Sequence, residues 1–145
     1  MKLDLDCIRD ILIAVEDIEY GKNLTISILQ EKIPNYSENE LQYHCLKLLE
    51  GGFLDATSVE YIRTPKKIVR IFDLTYEGHQ FLADIRSDTT WNRTKEVAKN
   101  IRIESLHAVK DIAVATVTAL IQNKMGLSWY IIISVSSAFF SGRAF

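Results

Sequence analysis

Apolar residues recur along this chain with two periods, and the changes of period divide it into elements. Leu5, Ile8, Ile11, Leu12, Val15 and Ile18 share one face at helical spacing, which predicts a first helix over 5–18, capped by Asp4 or Asp6 and closed by Gly21. From Asn23 to Ile33 two signals compete: Leu24, Ile26 and Ile28 alternate as in a strand, while Ser27-x-x-Gln30 has the spacing of a capping box. A short strand followed by a helix of Ile28 to Lys32, stopped at Pro34-Asn35, accommodates both. The stretch from Tyr36 to Leu54 is more decided. Ser37 and Glu40 form an S-x-x-E capping box, Leu41, Cys45, Leu48 and Leu49 recur on one helical side, and Gly51-Gly52 can take the left-handed conformation that ends a helix.

Beyond this helix the period shortens. Thr57 to Ile62 and Ile68 to Phe72 carry strand-forming residues on either side of Arg63-Thr64-Pro65-Lys66-Lys67, which predicts a hairpin with a basic tip. Helical spacing then returns. Thr75 caps a helix that buries Phe81, Leu82 and Ile85, and Gly78 inside it predicts close packing against another backbone. Ser87 to Thr90 is a capping cluster before a polar helix from Trp91 to Ile101, with Trp91 as a core or inter-helix anchor. Ser105 caps a last helix over 106–124 that buries Val109, Ile112, Ala113, Val117, Leu120 and Ile121, with Thr116 on the same stripe. The order reads as an α+β, mostly helical chain: a winged helix-turn-helix core with a two-stranded wing over 1–86, then further C-terminal helices over 87–126 that pack on the core or on a dimer partner. An atypical apolar tail occupies 127–145.

Composition narrows the picture. With 145 residues, 48% of them hydrophobic, the chain can bury one sizeable core. A formal charge of −2 excludes the general basicity of a histone-like binder, so any grip on a polyanion must come from a local patch. Arg63, Lys66, Lys67 and Arg70 supply the densest one, either as a wing that touches phosphates or as a solvated turn that protects sheet edges. Cys7 and Cys45 are too few for a disulfide framework, and the acids of MKLDLDCIRD stand where a signal peptide needs an apolar run; both point to the cytoplasm. The uncharged segment from Met125 to Gly142 falls short of the roughly 20 residues that span a bilayer, so a membrane anchor is not expected.

Three motifs, KLDLDCIRDILIAVE, YHCLKLLEGGFL and LTYEGHQFLADIRSDTTWNRTKE, resemble domain of unknown function 2513, an uncharacterised family of bacteria, phages and prophages. The resemblance runs from Met1 to Leu127 and implies a small cytoplasmic protein with a winged-helix-like core and no established activity. More distantly, YHCLKLLEGGFL and LTYEGHQFL are similar to the recognition-helix end and post-wing helix of the MarR and PadR regulator classes.

Catalytic chemistry is not expected. The chain has no G-x-G-x-x-G, P-loop, G-x-S-x-G or H-E-x-x-H motif, so neither an enzyme nor a cofactor is predicted. Asp6 and Asp10 lie one turn apart but lack a third ligand and read as a solvated helix face. His44, His79 and His107 fall on three different helices and read as structural hydrogen-bonding residues, with no metal site. The leading expectation is a regulator of double-stranded DNA: Asn39 and Gln42 read base edges, Lys47 meets phosphate or guanine, Tyr43 meets sugar or phosphate, and Arg63, Lys66, Lys67 and Arg70 form the wing. Against it, Glu38, Glu40 and Glu50 outweigh Lys47 on the same helix. The alternative is a protein-interaction module that binds a host or phage protein through the acidic helix or the apolar C-terminal region. In either reading the 106–124 helix is the candidate surface for a homodimer.

Overall fold

The computed structural model describes residues 1–125, so the apolar tail read at 127–145 lies outside them. Among the described residues the chain is α+β, with six helices and one two-stranded antiparallel sheet, a helical core plus a hairpin wing. Helix α1 (Leu5–Glu16) begins where the Asp4 carboxylate accepts from the amides of Asp6 and Cys7. It stops short of Ile18. Its apolar face, Cys7, Ile8, Ile11, Leu12, Ala14 and Val15, is buried at the centre of the core.

The second element differs from its expected form. Helix α2 (Ile26–Lys32) starts two residues early because Thr25, not Ser27, is its cap, accepting from the Ile28 amide at 3.3 Å. Beginning there turns both Ile26 and Leu29 into the core. The expected strand shrinks to one bridge, in which Leu24 and Ile71 exchange two backbone hydrogen bonds of 2.8 Å. Ser27 and Gln30 brace the turn instead: Ser27 Oγ donates to Glu38 and Gln30 Nε2 to the Tyr36 carbonyl, both at 3.2 Å.

Helix α3 (Glu38–Glu50) follows the Ser37 capping box, present in both directions. It ends in a Schellman motif, with Phe53 N donating to Leu48 O at 2.9 Å, Gly52 N to Leu49 O at 3.1 Å, and Gly52 at φ +81°. Strands β1 (Leu54–Val59) and β2 (Lys67–Leu74) pair from Leu54↔Leu74 to Val59↔Lys67, with two register shifts. Strand β1 lies closer to the base than expected, while β2 extends past its expected run at both ends: Tyr61 and Ile62, for all their β-propensity, have no cross-strand partner and lie in the connection between the strands.

Helix α4 (Tyr76–Ile85) buries Gly78, Phe81, Leu82 and Ile85. The close approach predicted at Gly78 is present, since a Cβ there would stand 2.0 Å from the Phe53 carbonyl oxygen. Helix α5 (Asp88–Asn100), capped by Ser87, and helix α6 (Leu106–Met125) pack on each other, and α6 also lies against α4. Trp91 is buried as an anchor, its indole N–H donating to Asp6 at 2.8 Å, while Lys95 reaches the same carboxylate at 2.7 Å. Arg9 of α1 pairs with Asp88 at 3.0 Å. The extension therefore folds back on the core. Asp6 and Asp10 are joints rather than a merely solvated face, for Asp10 accepts from the Tyr36 hydroxyl at 2.7 Å. Helix α6 buries Leu106, Val109, Ala113 and Thr116 but leaves Ile121 51% exposed and Val117 and Leu120 only partly covered, because its last turns run past the start of α5.

Candidate nucleic-acid interface

The site is built around α3. Leu41, His44, Cys45 and Leu48 face inward, so at about 100° per residue the outward crest carries Asn39, Leu46 and Glu50. His44 fixes the helix to the start of α1: the Asp4 amide donates to Nε2 at 2.8 Å, which leaves Nδ1 as the donor to Glu40 O at 2.6 Å. Both ring nitrogens are spent on backbone. His107 stacks on Phe53 with centroids 5.2 Å apart, and His79 lies 3.5 Å from Asp73. The three histidines stand apart, and no metal-holding group of three His, Cys, Asp or Glu side chains occurs among the described residues.

The expected recognition residues separate onto the two flanks of α3. Asn39 is exposed on the crest. Gln42 leans toward the hairpin, where its Oε1 accepts from the Ile68 amide at 2.9 Å and its Nε2 makes a longer contact, 3.4 Å, to the Ile68 carbonyl. Its amide behaves as a strand edge that ties α3 to β2, which takes it out of the set available to read bases. Lys47 lies five positions on, about 140° round the helix. It pairs with Glu50 at 3.1 Å and covers the Tyr43 ring at 5.6 Å. Tyr43 is half-buried against His44 and contributes to the wall of a cavity of about 390 Å³ formed with Met1, Lys2, Lys95 and Lys99.

The hairpin is polarised along its length. Asp55 and Asp73 face each other at its base, while Arg63, Lys66 and Lys67 are exposed at its tip together with Glu60. Arg63 has φ +67°, and Tyr61 and Ile62 beside it are 69% and 92% exposed. Arg70 is less free than the tip residues, because its guanidinium donates to Asn23 at 2.9 Å and so secures the loop before α2. The missed members of the site are Lys2 and Lys99, which no sequence signal connects to α3; only packing brings the chain start and the end of α5 beside Tyr43.

Nucleophilic chemistry is disfavoured at the cysteines. Burial, helped by the charges of Asp4, Glu40 and Asp10, pushes the Cys7 thiol up to about 12, and burial raises Cys45 as well. Among the described residues no helix is long and apolar enough to cross a membrane.

A family model described as "Hypothetical protein (DUF2513)" matches residues 2–104, ending in the turn before α6 and so short of the Leu127 limit read from the motifs. An uncharacterized protein of Haemophilus influenzae is 29% identical over 122 residues, a match that covers 83% of this chain and 99% of the relative. No solved structure matches the chain, so the winged-helix likeness rests on its own order of helices and hairpin.

Proposed function

This chain belongs to the DUF2513 family of hypothetical proteins, and on that footing we propose that it is a bacterial or phage-associated winged-helix protein that binds double-stranded DNA and regulates transcription in the cytoplasm. One observation carries the reading: a two-stranded hairpin, anchored to α3 through Gln42, holds Arg63, Lys66 and Lys67 exposed at its tip against the single acid Glu60, with Asp55 and Asp73 at its base. A cationic tip on a tethered arm suits phosphate, and the α3 crest that it borders suits a major groove. Asn39 is the base-reading candidate on this account, with Tyr43 toward the sugar–phosphate chain, and the wing supplies most of the affinity. A second copy, joined through the partly covered stripe of Val117, Leu120 and Ile121 on α6, would give the protein a two-fold axis and a paired half-site.

The test is retention of the full chain on a random pool of duplex DNA at two salt concentrations, followed by sequencing. We expect an enriched motif and an affinity that falls as salt rises. Lys66→Ala with Lys67→Ala should weaken binding at every sequence and flatten the log affinity–log salt slope by about 1.8, since each phosphate left without its cation takes about 0.9 from the slope. An unchanged slope in that variant would remove the wing from the interface.

A second reading draws on a different observation. The exposed side of α3 is acidic on balance, since Lys47 is neutralised by Glu50 while Glu38 stays exposed on the flank toward α2, and the wing tip presents Tyr61 and Ile62 to solvent. Such a mixture suits a protein partner, a host or phage protein bound by the acidic helix and apolar tip. Absence of retention even at low salt would favour that reading over DNA.

A further inference from the structure

The hairpin stands on one flank of α3 only. The other flank, reached from the crest by way of Tyr43, borders the cavity whose rim carries Lys2 from the chain start and Lys95 and Lys99 from α5. Lys95 is already committed, 2.7 Å from Asp6 and 5.6 Å over the Trp91 ring. Lys2 and Lys99 are exposed, and the ion pairs among the described residues all join other side chains. Arg102 is also exposed and lies in the chain between Lys99 and Ile103 of this lining, in which Glu104 is the one acid.

Backbone conformation marks the same residue independently. Arg102 closes the Schellman motif that ends α5: Ile103 N donates to Ala98 O at 2.9 Å and Arg102 N to Lys99 O at 3.2 Å, with Arg102 at φ +56°. That position favours glycine, because a side chain in the left-handed region meets its own backbone. Among the described residues two non-glycines have positive φ, Arg63 and Arg102, one arginine from each of the two basic clusters that flank α3. Where glycine would relieve strain on both sides, a guanidinium stands instead. Strain retained in this way points to a use for the side chain.

We propose that Lys2, Lys99 and Arg102 form a second phosphate-contacting patch, so that α3 is gripped on both sides by the backbone of the groove it enters. The inference rests on the DNA-binding reading above. Its geometry is that of the duplex: a helix with side chains is about 10–12 Å across, and the major groove is about 12 Å wide between its bordering phosphate chains. Cations on both flanks of such a helix meet both chains, the hairpin one and this patch the other. Contacts of this kind set register and affinity and are indifferent to sequence. The occupancy of Lys47 by Glu50 then carries less weight against DNA, since the positive charge on that flank comes from other elements.

Arg102→Gly in the full chain gives a readout that a merely structural residue would not. Replacing the strained arginine should raise the melting temperature by a few degrees while flattening the salt slope of duplex binding by about 0.9. Lys2→Ala with Lys99→Ala should flatten it by about 1.8 without moving the melting temperature. Lys22→Ala, in the loop after α1 beside Glu16, Glu19 and Asp73, matches the single charge lost in Arg102→Gly and should leave the slope unchanged. If the parent binds duplex, the Lys66→Ala, Lys67→Ala wing variant weakens it, and the variants of this patch keep the parental slope, the second patch is refuted and the DNA reading stands. If the parent binds no duplex at any salt concentration, the DNA reading fails and takes this inference with it.

Discussion

Gly78 shows how a single residue can be fixed by a neighbour 25 positions away. In an exposed helix, alanine in place of glycine would stabilise the protein by about 1 kcal/mol. Here the added methyl would overlap the Phe53 carbonyl oxygen, which also accepts from Thr75 N at 3.2 Å. Backbone on both sides of the overlap leaves no flexible side chain to yield. Gly78→Ala should therefore destabilise the fold by about 1–3 kcal/mol or more, read as a lower midpoint in urea unfolding. A raised midpoint would mean that α4 does not approach the start of β1 so closely. The sequence pointed to this contact through the misplaced glycine, but it held no sign of which backbone came near.

At the scale of elements, caps were legible and tethers were not. Ser37, Thr75 and Ser87 act on amides within three residues of themselves, so their function is written locally. Gln42 acts on Ile68, and nothing near Gln42 in the chain names that partner. The same limit explains the split of the expected recognition set: helical spacing placed Gln42 and Lys47 outside the buried stripe and about 140° apart, yet only the position of β2 shows that Gln42 is spent on the hairpin. Gln42→Ala should release one end of the hairpin and leave the Ile68 amide unsatisfied in part-buried surroundings. Faster hydrogen exchange at Ile68, a stability loss of about 1–3 kcal/mol and weaker duplex binding without a change of preferred sequence are the expected results. A changed preferred sequence would instead return Gln42 to the base-reading set.

Across the whole molecule, charged joints hold α4 and α5 to α1, and their protonation sets an acid limit. Burial alone would raise the Asp6 carboxyl, but hydrogen bonds from Lys95 and Trp91 more than offset it and hold the group below its usual 3.8. Glu16 is held below its usual 4.5 by the hydrogen bond from Arg86. For a depressed acid the stabilisation is complete above the unfolded value and is lost as pH falls through the folded one, so both joints weaken on acidification below these values. Asp84, raised by burial against the pull of Lys110, acts in the opposite sense, its contribution declining as pH rises through the same region. The net expectation is a urea midpoint that falls between about pH 5 and pH 3, with Asp6→Asn losing less over that interval than the parent. Equal losses would show that the Asp6 joint contributes little to docking of α5.

What the sequence determined by itself is what depends on near neighbours: the helical stripes of α1, α3 and α4, the capping box at Ser37, the stop at Gly51-Gly52, the hairpin between two strand-forming runs, and membership of a family with no assigned activity. Periodicity and capping are short-range, because burial of a stripe and satisfaction of a terminal amide are decided within a few residues. Tertiary structure alone decided the start of α2, where inward placement of Ile26 and Leu29 prevailed over the Ser27 signal, and the roles of Asp6, Asp10 and His44 as joints between elements. It also decided which cations stand on each side of α3. Hydrogen bonds and ion pairs between distant segments depend on where the chain returns, and that is set by the packing of the core as a whole.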